Sequence, residues 1–321
     1  MLHLLRRLRI DPYLLILVAA LVAASVAPAR GAADTALGWV ADGAIALLFF
    51  LQGARLPREA IINGLSAGRL HLLIVILTYA LFPVLALALN AAGALPASLR
   101  PGLLFLACLP STVQSSIAFV SIARGNVAAA VCAASLSNIL AVAMTPLLVG
   151  VLMQGQGGFS WITLKAVVLQ LLAPFVIGQL ARPVAAGFVA KHSRMLGYID
   201  RGSILLVVYM AFSHAVAGGF LSALSPLDLT RLILVALGLL GAVLAAAVLA
   251  ARVLRLDRAE AVVAVICGSQ KSLATGAPMA GLLFPAAVAG AVIVPVLVFH
   301  QIQLIVASII VRRYGRQMPK T

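Results

Sequence analysis

The sequence predicts an all-α membrane protein of ten transmembrane helices arranged as two inverted five-helix repeats, the fourth and ninth helices being discontinuous. Three observations carry that reading: apolar runs of spanning length, basic residues confined to alternate connections, and polar breaks in two spans five apart. At 321 residues, 64% hydrophobic and 10% charged, with a mean hydropathy of +1.16, the chain has too little polar surface to cover a water-soluble globule. Long unbroken apolar runs also exclude a β-barrel, whose strands alternate and are short.

Apolar runs of roughly 20 residues fall near 12–28, 35–53, 71–94, 101–123, 126–153, 160–181, 199–219, 230–251, 259–284 and 287–311. The ends and even-numbered connections carry Arg6, Arg7, Arg9, Arg55, Arg58, Arg69, Arg124, Arg182, Lys191, Arg194, Arg201, Arg252, Arg255, Arg258, Arg312, Arg313, Arg316 and Lys320. Odd-numbered connections carry only Arg30, Arg100 and Arg231, while Lys165 and Lys271 lie inside spans. The positive-inside rule therefore places both termini in the cytoplasm of a bacterial-type plasma (inner) membrane. The net charge of +15 is spread over separate segments instead of one basic face, so nucleic acid is not an expected partner and lipid is. One alternative stays open at the start: Arg6 to Arg9, an apolar run and Ala27-Pro28-Ala29 also have the layout of a signal peptide, whose removal would leave nine spans.

Between the second and third spans, residues 54–70 mix Arg55, Arg58, Glu59 and Arg69 with Leu56, Ile61, Ile62 and Leu65, the pattern of a short amphipathic helix lying in the interface. Residues 182–198 are expected to form a similar but less periodic segment. Cys108, Cys132 and Cys267 sit in apolar spans without metal-ligand spacing and read as small packing residues. His214 and His300 lack neighbouring ligands, so no metal site and no cofactor is expected. Gly64-Leu65-Ser66-Ala67-Gly68 matches the G-x-S-x-G pattern of serine hydrolases, but it lies in a basic connection with no strand before it, and an enzyme is not expected.

Two spans break the rule of apolarity. The fourth contains Cys108-Leu109-Pro110-Ser111-Thr112-Val113-Gln114-Ser115-Ser116 and the ninth Cys267-Gly268-Ser269-Gln270-Lys271-Ser272. Pro110 has no N–H to donate and disfavours helix at Leu109, which frees backbone groups that hydrocarbon cannot satisfy. An offset of five spans, an odd number, makes the second half enter the membrane inverted relative to the first, giving repeats 1–155 and 156–321. Paired polar breaks in such halves point to a binding site lined by Ser111, Thr112, Gln114, Ser115, Ser116, Ser269, Gln270, Lys271 and Ser272. The plainer alternative is that the hydroxyls bond back to their own helices and Pro110 makes an ordinary kink.

Lys271 lies about 20 Å from the cytoplasmic end of its span, and an unpaired ammonium there costs ~3 kcal/mol or more. Four roles are compatible with it: an internal cation standing in for a metal ion, a proton carrier, a counter-charge for an anionic solute, or a helix-locking ion pair. Asp42, in the second span, is a candidate charge and proton-coupling partner for Lys271 or Lys165, or else a vestibule residue. Asn138 and Ser137 in the fifth span, and Gln301 and Gln303 in the tenth, either face the same cavity or join helices.

The strings Leu109-Pro110-Ser111-Thr112-Val113-Gln114-Ser115-Ser116-Ile117-Ala118-Phe119, Ala123-Arg124-Gly125-Asn126-Val127 and Gly268-Ser269-Gln270-Lys271-Ser272-Leu273-Ala274-Thr275-Gly276 resemble the bile acid:sodium symporter family, in its cotransporter-7-like branch. That resemblance implies a panel domain of spans 1, 2, 6 and 7 and a core domain in which the fourth and ninth helices cross at their unwound centres. It also implies what is missing. Sodium-binding members have a glutamate where this chain has Ile266, a Ser-Asn pair where it has Ser116-Ile117, hydroxyls near Ala130 and Ala134, and an asparagine where it has Lys271.

The expectation is therefore a secondary active transporter of a small organic, anionic solute by alternating access. A coupling sodium ion is disfavoured. The alternatives are a cation/proton exchanger titrating Lys271, or a membrane regulator of calcium homeostasis, to which the branch is tied.

Overall fold

The computed structural model describes residues 12–55, 68–153, 161–219 and 224–316, and among these the chain is helical with no β-strand. The helices are α1 (Pro12–Val26), α2 (Ala32–Arg55), α3 (Gly68–Ala91), α4 (Arg100–Cys108), α5 (Gln114–Ile122), α6 (Val127–Leu152) and α7 (Trp161–Lys191). They continue with α8 (Ser193–Ala217), α9 (Pro226–Val253), α10 (Arg258–Ser269), α11 (Leu273–Leu283) and α12 (Ala286–Arg316). Within α3 the residues Leu77–Leu81 form one π-helical turn.

Local chemistry sets several starts. Asn126, Ser225 and Asp257 accept from the N–H groups of Ala129, Asp228 and Glu260 and so cap α6, α9 and α10. Asp228 completes a capping box by accepting from the Ser225 N–H.

Among the described residues, six stretches are long and apolar enough to cross a bilayer: α2, α3, α6, α8, α9 and residues Val288–Arg312 of α12. Two of the expected spans, 101–123 and 259–284, are instead pairs of short helices, α4 with α5 and α10 with α11, because extended backbone at Leu109 and Gln270 ends the first of each pair. The outward face of α7 carries apolar residues such as Val184, 91% exposed, and Leu180, 71% exposed, which need lipid as solvent.

The stretch 182–198 departs from expectation. It is no separate interfacial segment: α7 runs through Arg182 and Pro183 to Lys191, and α8 begins at Ser193 after a single turn residue, His192. Amphipathic spacing alone does not stop a helix, and the turn falls at the first residue that leaves helical geometry. The counterpart at 54–70 and the Gly64–Ala67 part of the hydrolase-like string lie outside the described residues, apart from the ends of α2 and α3.

Helix α2 packs on α7, and α1 packs on α8. The first pair touches backbone to backbone: a Cβ on Gly53 would sit 2.1 Å from the Phe175 carbonyl oxygen, and one on Gly178 would sit 2.0 Å from that of Phe50. The reciprocity of these contacts, Phe50 to Gly178 and Phe175 to Gly53, is that of small residues letting two membrane helices approach. Part-buried Arg55–Asp200 and His214–Asp34 ion pairs then fasten α2 to α8 near its two ends, the latter at 2.7 Å. On the other side of the molecule Phe82, Phe105 and Phe299 are wholly buried, with Phe82 and Phe299 edge to face at 5.9 Å between centroids.

Gly178→Val is expected to destabilise the fold by about 3 kcal/mol or more through overpacking, whereas Gly38→Ala, on an open face of the facing helix α2, should leave the melting temperature in detergent unchanged. Fluorescence-detected thermal unfolding of both variants checks this.

Candidate solute site at two crossed helix breaks

Pro110 ends α4 as its chemistry requires: without an N–H it leaves Leu106 short of a donor, and Leu109 turns to φ −76°, ψ 153°. Most of the carbonyls at this break find partners. Leu109 N–H donates to Leu106 O at 3.2 Å, and Thr145 Oγ1 donates to Cys108 O at 2.7 Å. Ser272 N–H donates to Pro110 O at 2.8 Å, and Asn138 Nδ2 donates to Ser111 O at 3.0 Å. The Ser111 N–H, diverted from Ala107, goes to Ser137 Oγ at 3.0 Å.

The second break, Gln270 to Ser272 between α10 and α11, lies against the first: besides the Ser272–Pro110 backbone bond, Ser111 Oγ donates to Cys267 O at 2.6 Å. Gln303 of α12 holds the unwound Lys271 peptide from both sides, accepting its N–H at 2.7 Å and donating to its carbonyl at 2.8 Å. A side-chain amide here replaces the helical partners that the break removed.

The Lys271 side chain is 1% exposed, yet its ammonium is fully satisfied. It donates to Thr78 O at 2.8 Å, Ala107 O at 2.8 Å and Leu109 O at 2.7 Å, which uses all three of its protons. The Phe82 ring also lies beside it, 4.2 Å from Nζ to its centroid. Thr78 is available because the π turn sends the Phe82 N–H to Leu77 O, and the next residue, Pro83, has no N–H to give. Ala107 and Leu109 lie at the C-terminal, negative end of α4.

The remaining polar residues gather on Gln270. Its Oε1 accepts from Thr112 Oγ1 at 2.6 Å, Ser115 Oγ at 3.0 Å and Ser116 Oγ at 3.3 Å, while its Nε2 is buried and has no partner. These hydroxyls stand on the entry to α5, whose N-terminus has no side-chain cap. The N-terminus of α11, in contrast, is capped by Ser272 Oγ accepting from Thr275 N–H at 3.1 Å. Asn138 joins the two breaks to α6, bonding Ser111 O and accepting from Thr275 Oγ1 at 2.8 Å. Ser269 turns away, its hydroxyl donating to Val265 O at 2.6 Å.

The structure thus brings together Ser111, Thr112, Ser115, Ser116, Asn138, Gln270, Lys271 and Ser272. Gln114 is different, lying exposed on α5. Asp42 is exposed on α2, a helix that packs on α7 and α8, and the three partners of the Lys271 ammonium are carbonyls, so no carboxylate meets it here. His300 Nδ1 lies 2.9 Å from Gln303 Nε2, beside the Lys271 peptide. Cys108 and Cys267 are buried free thiols, and no cluster of His, Cys, Asp and Glu that could hold a metal occurs among the described residues. The residues not foreseen are Thr78, Phe82, Ala107 and Thr145. Pro83, five residues after Thr78, was the available signal for a freed carbonyl in α3.

Residues 11–316 match the model of the SBF-like CPA transporter family. The chain is 44% identical over 313 residues to the putative symporter YfeH of Escherichia coli K12, covering 96% of this chain and 94% of that protein. It is equally similar, 44% over 311 residues, to the uncharacterized protein PA2026 of Pseudomonas aeruginosa, covering 96% and 93%. Sodium/bile acid cotransporter 7 of Mus musculus is 27% identical over 321 residues, covering 96% and 94%.

Gln303→Leu would leave the buried N–H and carbonyl of Lys271 unpaired, and is expected to lower stability by about 2–4 kcal/mol. Gln301→Leu removes a buried oxygen that has no partner, so thermal unfolding should distinguish the two, with no loss for the second.

Proposed function

Because this chain belongs to the SBF-like CPA transporter family, we propose that it carries a small organic anion across the membrane as a secondary active transporter, binding it at the crossed breaks. Its family and relatives are transporters, so the protein is a multi-pass membrane transporter and not an enzyme.

One observation carries the substrate class: the unpartnered Nε2 of Gln270, buried beside the uncapped N-terminus of α5. A free amide donor, helix N–H groups at a positive dipole end and the half-buried Ser115 hydroxyl make a surface that offers protons and lacks a negative charge. A carboxylate suits it. The bile acid in the names of the cotransporter 7 relatives is itself an organic anion.

In this reading the ten spans are α1, α2, α3, α4 with α5, and α6, followed by their inverted counterparts α7, α8, α9, α10 with α11, and α12. Both termini face the cytoplasm, and the membrane is the inner one. The helices α1, α2, α7 and α8 move as one body, a grouping supported by the α2–α7 glycine contacts and the two ion pairs to α8. The other helices form the second body, held rigid by the bonds between the breaks. Alternating access is motion of one body against the other, with the solute on the broken helices at mid-membrane. Lys271 serves as a fixed internal cation that keeps the crossing intact, and Asp42 stays apart from the solute.

Gln270→Glu tests the reading with little change of shape: it keeps an oxygen for the three hydroxyls and replaces the free donor by a negative charge. Small carboxylates should raise the unfolding temperature of the wild-type protein and drive uptake into proteoliposomes. The variant should bind them at least tenfold more weakly, as expected for losing a charge-assisted bond of about 1.5–3 kcal/mol. Uptake of neutral or cationic solutes that persists in Gln270→Glu would overturn the assignment.

A further inference from the structure

The oxygens around the Lys271 ammonium are all backbone atoms, and each lies in a segment that bonds other than the lysine's also hold. Thr78 O is set by the π turn of α3, which Tyr79 ties to α6 by donating to Ser137 O at 2.6 Å. Ala107 O and Leu109 O are set by the end of α4, which Thr145 ties to the same helix through Cys108 O at 2.7 Å. Two arms fixed on one helix therefore converge three carbonyls on a point, 2.7, 2.8 and 2.8 Å from Nζ.

We infer that Thr78 O, Ala107 O and Leu109 O form a monovalent-cation cage that the protein fills with its own lysine, so that removing the ammonium creates a sodium or potassium site that the wild-type protein lacks. Carbonyl oxygens arranged in this way replace the hydration shell of an alkali cation. The aromatic face of Phe82, 4.2 Å from Nζ, lies beside the same point and is itself cation-attracting. The negative end of α4 adds to the field. The absence of a carboxylate among the ligands favours a singly charged ion over calcium or magnesium, which draw on carboxylates. The space left by the lysine stem has room for one or two waters, at about 30 Å³ each, to complete the coordination.

The inference extends the reading of the crossing as the transport site, because a cage filled from within leaves external sodium and potassium no place among these three carbonyls. Its own test needs no solute. Unfolding temperatures of the wild-type protein, Lys271→Ala and Lys271→Met are measured in sodium, potassium, calcium and choline chlorides at equal ionic strength. The wild-type protein should unfold at the same temperature in sodium, potassium and choline. At least one neutral variant should be less stable in choline and recover by roughly 5 °C in sodium or potassium at about a hundred times the dissociation constant, but not in calcium. Lys271→Met, which fills the space with an uncharged chain, should respond less than Lys271→Ala. Variants with the same midpoint in all four salts, or unfolded in all of them, overturn the cage. So does a saturable sodium or potassium response of the wild-type protein. None of these outcomes bears on whether carboxylates bind at Gln270, so the two assignments fail separately.

Discussion

Everything at the centre of this protein follows from one requirement: a backbone that leaves the helix inside a membrane must find other partners for its carbonyls and amides. Each such group left unpaired in hydrocarbon costs several kcal/mol. The two breaks meet this requirement jointly, with neither sufficient alone. Ser111 bonds the end of α10, Ser272 bonds Pro110, and Lys271 reaches from the second break to carbonyls of the first. Two interruptions, each unfavourable by itself, become one stable object when they cross.

The charge of Lys271 is part of the same solution. A neutral side chain would supply one or two donors, whereas an ammonium supplies three, and three carbonyls stand free around it. Its burial is tolerable because desolvation is offset by charge-assisted bonds, by the α4 dipole and by the Phe82 face. This is why the residue with the highest apparent cost in the chain is also the one that holds three helical segments, α3, α4 and the α10–α11 break, at fixed positions. The Gln270 amide nitrogen is left without a partner, and α5 starts without a side-chain cap.

The outer architecture separates rigid parts from the surface between them. Glycines at 53 and 178 bring α2 and α7 into backbone contact, and ion pairs at Arg55–Asp200 and Asp34–His214 fasten α8 to the same pair. The crossing is stitched equally firmly, through α6 and α12.

Much of this was legible in the sequence. Apolar runs and basic loops gave the membrane and the helices, because burial in lipid selects composition over a whole span and leaves a signal many residues long. The breaks were legible because Pro110 and the strings of hydroxyls and amides around Ser111–Ser116 and Ser269–Ser272 are incompatible with an ordinary span. What the sequence left open was the partner of Lys271, where Asp42 was a natural candidate as a carboxylate inside an apolar run. The tertiary structure assigns the ammonium to the carbonyls of Thr78, Ala107 and Leu109, and to nothing acidic. The physical reason is general. Carbonyl oxygens are present at every residue and carry no sequence signature, so which of them are free, and which three converge, is decided only when a π turn, a proline and a helix end are brought together in space.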